Sequence, residues 1–241
     1  DFSYKKEKGM FEISVIIPSY NEAGNLEKLI YEIEEVSLQN FKYEIILVDD
    51  CSNDDTDLII KQHTLKNKIK YLKNEINYGQ SYSINKGILN SNYNTIVTID
   101  GDGQNNPKDI PNLVNQYFEN DNICLVGGIR NKRKDSIVKI ISSKLANYIR
   151  GMILNDNCKD TGCSLKVFKK ECYLSFPFFS SIHRFLPALF KGFGYETKFI
   201  SVDHRPRLKG YSKYGTIARL YRGILDVYKV YIIIKKYKKN I

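Results

Sequence analysis

The amino-acid sequence predicts an α/β protein in which a mostly parallel β-sheet is covered by helices on both faces. Short β-branched apolar runs alternate with amphipathic segments, and the connections between them are short, which is typical of parallel sheets. Acidic residues directly follow the second and fourth predicted strands, at positions 49–50 and 100–102. Because parallel strands end at one edge of a sheet, where ligands bind in open α/β folds, these acids indicate a functional site there.

The first part of the chain is predicted to contain four strands separated by helices. Ile13 to Ile17 is a β-branched run typical of a buried strand, and apolar residues recur at helical spacing from Leu26 to Val36. Further strands are predicted over 43–48, 69–72 and 95–99. Turn and capping residues open the intervening helices at 52–56, 77–79 and 105–107.

The second part begins with a fifth strand over 123–128, which is followed by the basic cluster Arg130, Lys132, Arg133 and Lys134. The remaining elements are predicted as a helix over 137–154, a strand over 164–168, a helix over 181–190 and a strand over 196–202.

Composition divides the 241-residue chain into an acidic and a basic half. Its hydrophobic content of 42% and charged content of 27% are those of a globular protein. Residues 1–129 hold 12 Lys and Arg against 20 Asp and Glu, a net −8, whereas residues 130–241 hold 25 against 7, a net +18. This asymmetry indicates one half that holds a metal and substrate and another that faces something anionic.

Cysteine usage and hydropathy favour a cytoplasmic protein. The five cysteines are odd in number and lack paired CxxC spacing, so neither a disulfide framework nor a zinc site is expected. The apolar run Phe11 to Pro18 is too short and wrongly flanked for a signal peptide. No apolar run approaches the roughly 18 residues that a spanning helix needs.

The loop after the fourth strand carries two carboxylates one residue apart and a carboxamide two residues further on. These residues, Asp100, Asp102 and Gln104, are the predicted metal ligands. Hard oxygen ligands of this kind suit Mg²⁺ or Mn²⁺, which take one or two carboxylates together with substrate phosphates. Asp-Gly is also ordinary turn chemistry, so the motif alone leaves a polar turn as the alternative.

The C-terminal segment reads as a basic amphipathic helix. Residues 205–241 contain 11 Lys and Arg and a single acid, a net charge of +10. A helix with this charge and a tyrosine-rich apolar face is typical of a membrane interface, so we predict a catalytic domain over 1–213 and an interfacial helix over 214–241. The alternative is a helix that packs on its own domain or on a second subunit. The predicted apolar face consists of Ile217, Tyr221, Ile224, Leu225, Tyr228 and Tyr231.

Five motifs occur along the chain in a characteristic order. They are Ser14 to Glu22, Ile46 to Thr56, Asp100 to Gln104, Asp160 to Gly162 and Arg207 to Lys213. Together they resemble the inverting family 2 glycosyltransferases of the GT-A fold, and within that family the branch of dolichol-phosphate mannose synthases and polyprenyl-phosphate sugar transferases. One departure is Cys51, where this family usually has glycine.

The resemblance implies donor-binding roles for the front half. Pro18, Tyr20 and Glu22 match the loop that wraps the nucleotide, and Asp49 matches the position that reads the base or its ribose. Asp100 belongs to both the metal site and the nucleotide-sugar site. The metal and the basic segment are expected to stabilise the charge that develops on the departing diphosphate. The residues matching that segment are Arg207, Ser212 and Lys213.

The resemblance also implies an acceptor site. Arg130 and Arg133 match the acceptor-phosphate position, and Asp160 matches an acidic residue near the acceptor. A phosphate with a second pKa of about 6 is already an anion at neutral pH, so Asp160 is expected to orient the acceptor or the sugar, with general base as the lesser possibility. A cap or turn role for Asp160 is the structural alternative. The residues expected to act in catalysis are Asp102, Asp160, Arg207 and Lys213.

The predicted function is therefore metal-dependent inverting transfer of a sugar from a UDP- or GDP-sugar to a polyprenyl phosphate. The enzyme would lie at the cytoplasmic face of the cell membrane, bound peripherally to its anionic surface. A soluble glycosyltransferase acting on a glycan or protein hydroxyl is the alternative, and it would need a true general base. Nucleic-acid binding is permitted by a pI near 9.2, but no nucleic-acid module is recognised. The sugar, the base of the donor and possible homo-oligomerisation stay open.

Overall fold

The computed structural model describes residues 10–38, 41–64, 69–131, 148–206 and 216–239. Within these ranges the chain forms one seven-stranded sheet in the order β3-β2-β1-β4-β6-β5-β7. Strand β6 runs antiparallel to both of its neighbours, and the other strands are parallel. The predicted mostly parallel sheet is therefore confirmed. The strands are β1 Phe11–Ser19, β2 Phe41–Asp49, β3 Ile69–Lys73, β4 Thr95–Thr98, β5 Ile123–Arg130, β6 Lys166–Lys169 and β7 Glu196–Val202.

Helices cover both faces of the sheet, as the sequence predicts. A single 3₁₀ turn, Pro107–Asp109, precedes α4, and the described part of α5 spans residues 148–154. The remainder of the predicted helix from 137 lies outside the described residues. The other helices are α1 Ala23–Leu38, α2 Thr56–Thr64, α3 Gln80–Leu89, α4 Ile110–Phe118, α6 Lys170–Leu174, α7 Ile182–Gly192 and α8 Thr216–Lys239.

The core lies in two layers because the central strands are buried on both faces. In β1, Val15 and Ile17 pack with α1, α2 and α4, whereas Ile16 packs with α3 and α7 on the opposite face. Side chains alternate across a strand, so the continuous run Ile13 to Ile17 supplies apolar groups to both layers. The β-branched composition of this run thus follows from its central place in the sheet.

Helix α8 packs on its own domain through one face. Ile234 lies against Gly192 of α7, and the ring of Tyr237 stacks on Phe193 with centroids 3.8 Å apart. Val230 is fully buried in the same cluster. This is the packing that the sequence analysis kept as its alternative. The predicted boundary between 213 and 214 lies outside the described residues.

A second face of α8 is exposed. Ile224, Leu225, Tyr228 and Tyr231 all belong to the predicted apolar face and remain largely accessible. The helix therefore packs through one set of apolar residues and presents another. Among the described helices, none combines the length and apolar character required to cross a membrane.

Gly87 allows α3 to pack closely on the sheet, and a substitution can test this packing. A Cβ at this position would lie 2.5 Å from Cγ2 of Ile16 and 3.3 Å from Cγ2 of Val48, both in central strands. We expect Gly87→Ala to lower the free energy of unfolding by about 1–3 kcal/mol through overpacking. Chemical denaturation measures this change in the free energy of unfolding.

Gly151→Ala in α5 is the matched control, because a Cβ at residue 151 would meet no other atom within 4 Å. In an open helical position alanine normally stabilises by roughly 0.5–1 kcal/mol. Equal stability changes in the two variants would contradict the close packing of α3 on β1.

Candidate active site

The acidic residues predicted to meet at one sheet edge do meet there. Parallel pairing sets Ser19 of β1 opposite Asp49 of β2, and Ile16 of β1 opposite Thr98 of β4. The carboxyl ends of β1, β2 and β4 therefore lie side by side. The loops that follow them form the walls of the site.

Asp49 is fully buried and already bonded within the protein. Its Oδ1 accepts hydrogen bonds from the backbone N–H of Ser52 at 3.0 Å and from the Ser52 hydroxyl at 2.5 Å. The Tyr71 hydroxyl lies 3.1 Å from its Oδ2 and 2.6 Å from Oδ1 of Asp57. Burial and these two carboxylates raise the pKa of Tyr71, which keeps the phenol protonated. The carboxylate of Asp49 is thus held rigidly, and its role toward base or ribose stays a prediction.

Asp50, which the sequence analysis did not single out for a role, organises the start of α3. Its carboxylate accepts hydrogen bonds from the side chain of Asn74 at 2.7 Å and from the backbone N–H groups of Tyr78 at 2.9 Å and Gly79 at 2.7 Å. Gly79 has a φ of +90°, which glycine adopts readily. This loop places Gln80, the first residue of α3, beside the fourth-strand motif.

The backbone of Cys51 adopts a conformation that glycine favours, which explains why the family usually has glycine at this position. Its φ of +65° lies in the left-handed region, where the conformational energy of a residue with a Cβ is higher by roughly 1–2 kcal/mol. Its thiol donates to the carbonyl of Glu75 at 3.4 Å. The departure from the family pattern therefore leaves the turn after Asp50 in place.

The loop after β1 is bound to the loop after β2. The backbone N–H of Asn21 donates to the Ser52 hydroxyl at 2.8 Å, and the side-chain oxygen of Asn21 accepts from the N–H of Asn53 at 2.8 Å. Glu22 accepts a hydrogen bond of 2.7 Å from Asn25. The loop predicted to wrap the nucleotide, with Pro18, Tyr20 and Glu22, therefore lies against the loop that follows Asp49, the residue predicted to read the base or ribose.

The fourth-strand motif packs directly on the end of β1. A Cβ on Gly101 would lie 3.2 Å from the carbonyl oxygen of Pro18, so the absence of a side chain allows the close approach. Oδ1 of Asp102 accepts from the backbone N–H of Gln104 at 3.1 Å. The side-chain amide of Gln80 donates to Oδ1 of Asp100 at 2.6 Å. These contacts hold both carboxylates beside the end of β1.

The electrostatics at Asp100 fit a divalent cation. Burial, followed by the neighbouring charge of Asp102, raises the pKa of Asp100 to about 7. Lys166 and Arg130 favour the charged form of Asp100 but do not outweigh its burial, and a hard cation would compensate that charge further. Within the described ranges, no group of three or more His, Cys, Asp and Glu forms a metal cage. Two carboxylates and a carboxamide are the kind of donors that Mg²⁺ or Mn²⁺ combines with substrate phosphates.

A cavity of about 110 Å³ adjoins Asp100 and was not predicted from the sequence. Lys166 of β6 enters it as a buried cation whose ammonium donates to the carbonyl of Cys163. Nδ1 of His183 lies 2.5 Å from the Ser81 hydroxyl, and burial lowers the pKa of this histidine to about 3, so it is neutral. The cavity is lined by Gln80, Ile84, Thr98, Asp100, Thr161, Gly162, Cys163, Ser164, Lys166, His183, Arg184 and Leu186.

Arg130 and Asp160, predicted separately, form one buried ion pair. Nε and Nη2 of Arg130 donate to Oδ2 and Oδ1 of Asp160, each at 2.7 Å, and the backbone N–H of Arg130 donates to Oδ2 at 3.2 Å. Their side chains are 14% and 7% exposed. A Cβ on Gly162 would lie 2.8 Å from Nη2, so this glycine makes room for the guanidinium. The predicted sites at Arg133, Arg207, Ser212 and Lys213 lie outside the described residues.

The segment after β7 is tied to the fourth-strand motif. The backbone N–H of Arg205 donates to the carbonyl of Gln104 at 2.8 Å, and His204 forms a β-bridge with Asn105. Nη1 of Arg205 also donates to Glu32 at 2.7 Å. The chain thus reaches the predicted metal loop immediately before the basic motif that begins at residue 207.

Comparison with known proteins identifies sequence relatives over most of the chain. The family model for glycosyl transferase family 2 matches residues 14–174. The chain is 32% identical over 224 residues to a dodecaprenyl-phosphate galacturonate synthase of Rhizobium johnstonii, covering 91% of this chain and 66% of the relative. It is 32% identical over 207 residues to an undecaprenyl-phosphate 4-deoxy-4-formamido-L-arabinose transferase of Shewanella sediminis, covering 84% and 62%. The chain thus spans just under two thirds of the length of these curated relatives.

Solved structures share the fold at low sequence identity. Glucosyl-3-phosphoglycerate synthase of Mycobacterium tuberculosis, crystallised with Mn²⁺, UDP and glucosyl-3-phosphoglycerate, superposes with a TM-score of 0.67 at 18% identity, covering 93% of this chain and 79% of that chain. Mannosyl-3-phosphoglycerate synthase of Rubrobacter xylanophilus superposes with a TM-score of 0.69 at 14% identity, covering 99% and 78%. These likenesses confirm the GT-A fold predicted from the sequence.

The burial of the Arg130–Asp160 ion pair predicts a large loss of stability when one partner is removed. Removing one partner of a buried ion pair leaves an uncompensated charge and costs about 3–5 kcal/mol, so we expect Asp160→Ala to lower the free energy of unfolding by that amount. The double variant Arg130→Met with Asp160→Leu should recover most of the loss. Denaturant titrations measure both.

The exposed pair Lys198–Glu119, with an N–O distance of 2.8 Å, provides the control. Glu119→Ala should cost less than about 1 kcal/mol. A loss at Asp160→Ala as small as the loss at Glu119→Ala would mean that the pair is not buried in solution.

Proposed function

We propose that this chain, which belongs to glycosyl transferase family 2, transfers a sugar from a nucleotide-sugar donor to a polyprenyl phosphate. The observation that supports the proposal is that the loop of Asp100 and Asp102 lies at the same sheet edge as the ends of β1 and β2, beside Pro18 and Asp49. Relatives named for dodecaprenyl- and undecaprenyl-phosphate products support a lipid phosphate as the acceptor. The proposed reaction inverts the anomeric configuration, as the resemblance implies.

The donor is proposed to lie along the walls formed by the first two loops. Pro18, Tyr20 and Glu22 would contact the nucleotide, with Asp49 placed toward the base or ribose. Structures that share the fold contain UDP, which supports a UDP-sugar, and a GDP-sugar is the second possibility. Rigid hydrogen bonding of Asp49 reduces the reorganisation that donor binding would require.

A divalent metal, Mg²⁺ or Mn²⁺, is proposed as the cofactor. Asp100, Asp102 and Gln104 would hold it, and the raised pKa of Asp100, caused by burial and by the charge of Asp102, supports this assignment. When bound, the metal stabilises negative charge on the diphosphate that leaves. Structural neighbours crystallised with Mn²⁺ and Mg²⁺ also support it. Arg207 and Lys213 are proposed to contribute fixed positive charge to the same diphosphate.

The acceptor phosphate is proposed to bind near Arg130 and Arg133. Asp160 is engaged by the Arg130 guanidinium through two hydrogen bonds of 2.7 Å, which suits it to orient that cation. An acceptor with a second pKa of about 6 needs no general base at neutral pH. The geometry therefore favours a phosphate acceptor over a hydroxyl acceptor, for which Asp160 would have to be available to take a proton.

The exposed face of α8 is proposed to contact an anionic membrane surface on the cytoplasmic side. Tyr228, with 67% of its surface accessible, and Leu225 lie on this face, and basic residues 229, 235 and 236 follow on the same helix. Helix α5 also exposes apolar side chains, including Met152. Apolar burial together with charge attraction of about 1 kcal/mol per Lys or Arg would hold the enzyme near its lipid acceptor.

Nucleoside diphosphate release tests the proposed reaction. UDP- and GDP-sugars are incubated with Mg²⁺ or Mn²⁺, with and without undecaprenyl phosphate in detergent. Release should require both the lipid phosphate and the metal. EDTA or Asp102→Ala should reduce it by about two orders of magnitude or more, because several kcal/mol of charge stabilisation are lost.

Asp121→Ala, at an exposed turn before β5, is the matched control and should retain the rate. Release in the absence of lipid, or only with a glycan hydroxyl as acceptor, would reject the polyprenyl phosphate.

Cosedimentation with vesicles tests the membrane surface. We expect binding to phosphatidylglycerol vesicles to exceed binding to phosphatidylcholine vesicles and to duplex DNA at the same salt. The double variant Leu225→Ser with Tyr228→Ser should weaken vesicle binding by roughly tenfold or more, since each buried apolar side chain contributes about 1.5–3 kcal/mol. Tyr31→Ser, at an exposed position of α1, should bind like the unmodified protein. Unchanged binding of the double variant would exclude this face as the contact.

A further inference from the structure

The loop that carries the proposed metal ligands is spanned by a side chain from outside it. Ser164 lies just before β6, and its hydroxyl accepts a hydrogen bond from the backbone N–H of Asp100 at 3.2 Å. The same hydroxyl donates to the side-chain oxygen of Asn105 at 2.6 Å. A hydroxyl has one proton to donate and two lone pairs, so it can make both bonds at once. Ser164 therefore links the residue that opens the loop to the residue that follows Gln104.

Asn105 is itself held in place at its end of this link. The residue is only 4% exposed, and its side-chain amide donates to Sγ of Cys163 at 3.7 Å. Its backbone forms an antiparallel bridge with His204. Because buried polar groups are normally hydrogen-bonded, this carboxamide has a defined partner at each end. The oxygen that receives the Ser164 hydroxyl thus has a fixed position.

Ser164 is in turn attached to the strand from which the loop leaves. Its carbonyl accepts a hydrogen bond from the hydroxyl of Thr98 at 2.7 Å. Thr98, the last residue of β4, lies opposite Lys166 in the antiparallel pairing of β4 with β6. The central sheet therefore supports both ends of the loop through Ser164.

The shape of this loop matters for metal binding. Mg²⁺ requires near-octahedral geometry, and the side-chain oxygens of Asp100, Asp102 and Gln104 can provide part of it only if the loop that joins them has the right shape. Inside the loop, Asp102 accepts from the backbone N–H of Gln104 at 3.1 Å. A link between the two ends restricts the loop before a metal binds, which lowers the conformational entropy lost on binding.

We propose that Ser164 is a positioning residue that holds the loop over 100–104 in the shape that binds the metal. In this role it contacts neither the metal nor the diphosphate and acts through Asp100 and Asn105. The inference rests on the proposed function, since it takes Asp100, Asp102 and Gln104 as the metal ligands. It goes further by assigning a role to a residue that lies outside the five sequence motifs.

Hydrogen–deuterium exchange of the full chain without metal tests the positioning directly. Ser164→Ala removes both hydrogen bonds of the link. Backbone exchange in peptides that cover residues 100–105 should therefore become about fivefold or more faster, as expected when a protecting hydrogen bond is lost. Exchange in peptides from β1 and β2 should stay unchanged, which shows that the variant is folded. Ser164→Thr keeps the hydroxyl and should retain the slow exchange.

Metal affinity is the second measurement. Calorimetric titration of Mn²⁺ into the chain with saturating UDP or GDP should give a dissociation constant about fivefold or more higher for Ser164→Ala. Asn105→Ala breaks the link at its other end. The double variant should bind Mn²⁺ little worse than Asn105→Ala alone, because both changes remove the same interaction. Excess Mn²⁺ should restore most of the nucleoside diphosphate release of Ser164→Ala.

Ser91→Ala is the matched control. Ser91 is also buried, and its hydroxyl donates to the carbonyl of Ile88 at 2.7 Å, after the end of α3. This variant should leave both the exchange of the loop and the Mn²⁺ affinity unchanged.

Three outcomes would overturn the inference. Unchanged loop exchange and Mn²⁺ affinity in Ser164→Ala reject the positioning role, while Mn²⁺-dependent nucleotide binding by the unmodified chain still supports the proposed function. Slower release at every Mn²⁺ concentration, with loop exchange unchanged, makes Ser164 a substrate contact in the cavity that it lines. Failure of the unmodified chain to bind Mn²⁺ with either nucleotide rejects the proposed metal and the inference together.

Discussion

The parallel register of β2, β1 and β4 is the constraint on which the rest of the site depends. It aligns Ser19 with Asp49 and carries Thr98 to the same edge, so three loops distant in sequence become neighbours. The glycine at 101 then allows the fourth-strand loop to approach Pro18 closely. These strands are buried on both faces, so the packing of the core and the position of the acids depend on the same register.

The acids at this sheet edge differ in the groups that compensate their charge. These differences distinguish acids with a structural role from those suited to a chemical one. Asp49 and Asp50 accept hydrogen bonds from the protein itself, and Asp160 is neutralised by Arg130. Asp100 keeps an elevated pKa because burial and Asp102 outweigh the groups that stabilise its charge. Asp100, whose charged form is disfavoured by burial and by Asp102, is therefore the acid best suited to a cation.

The second half of the chain contributes residues to the site that are far in sequence from those of the first half. Ser81 of α3 and His183 of α7 are 102 residues apart in sequence and 2.5 Å apart in space. Strand β6 enters the sheet antiparallel between β4 and β5, and this insertion places Lys166 in the cavity that Asp100 also lines. Helix α8 then packs on α7 through Ile234, which leaves Leu225 and Tyr228 on the outside.

The sequence by itself determined the strand–helix order and the sheet edge that holds the acids, because these depend on local periodicity and on residues adjacent in the chain. The resemblance extended this to the family, which comparison confirmed. Only the tertiary structure decided that Asp160 pairs with Arg130, that Asp50 orders the start of α3, and that Lys166 lies in the cavity. Such contacts join residues far apart in sequence, and no local pattern records them. The structure was also needed to distinguish the face of α8 that packs on α7 from the face that is exposed. A helical pattern of apolar residues does not show which element, if any, covers them.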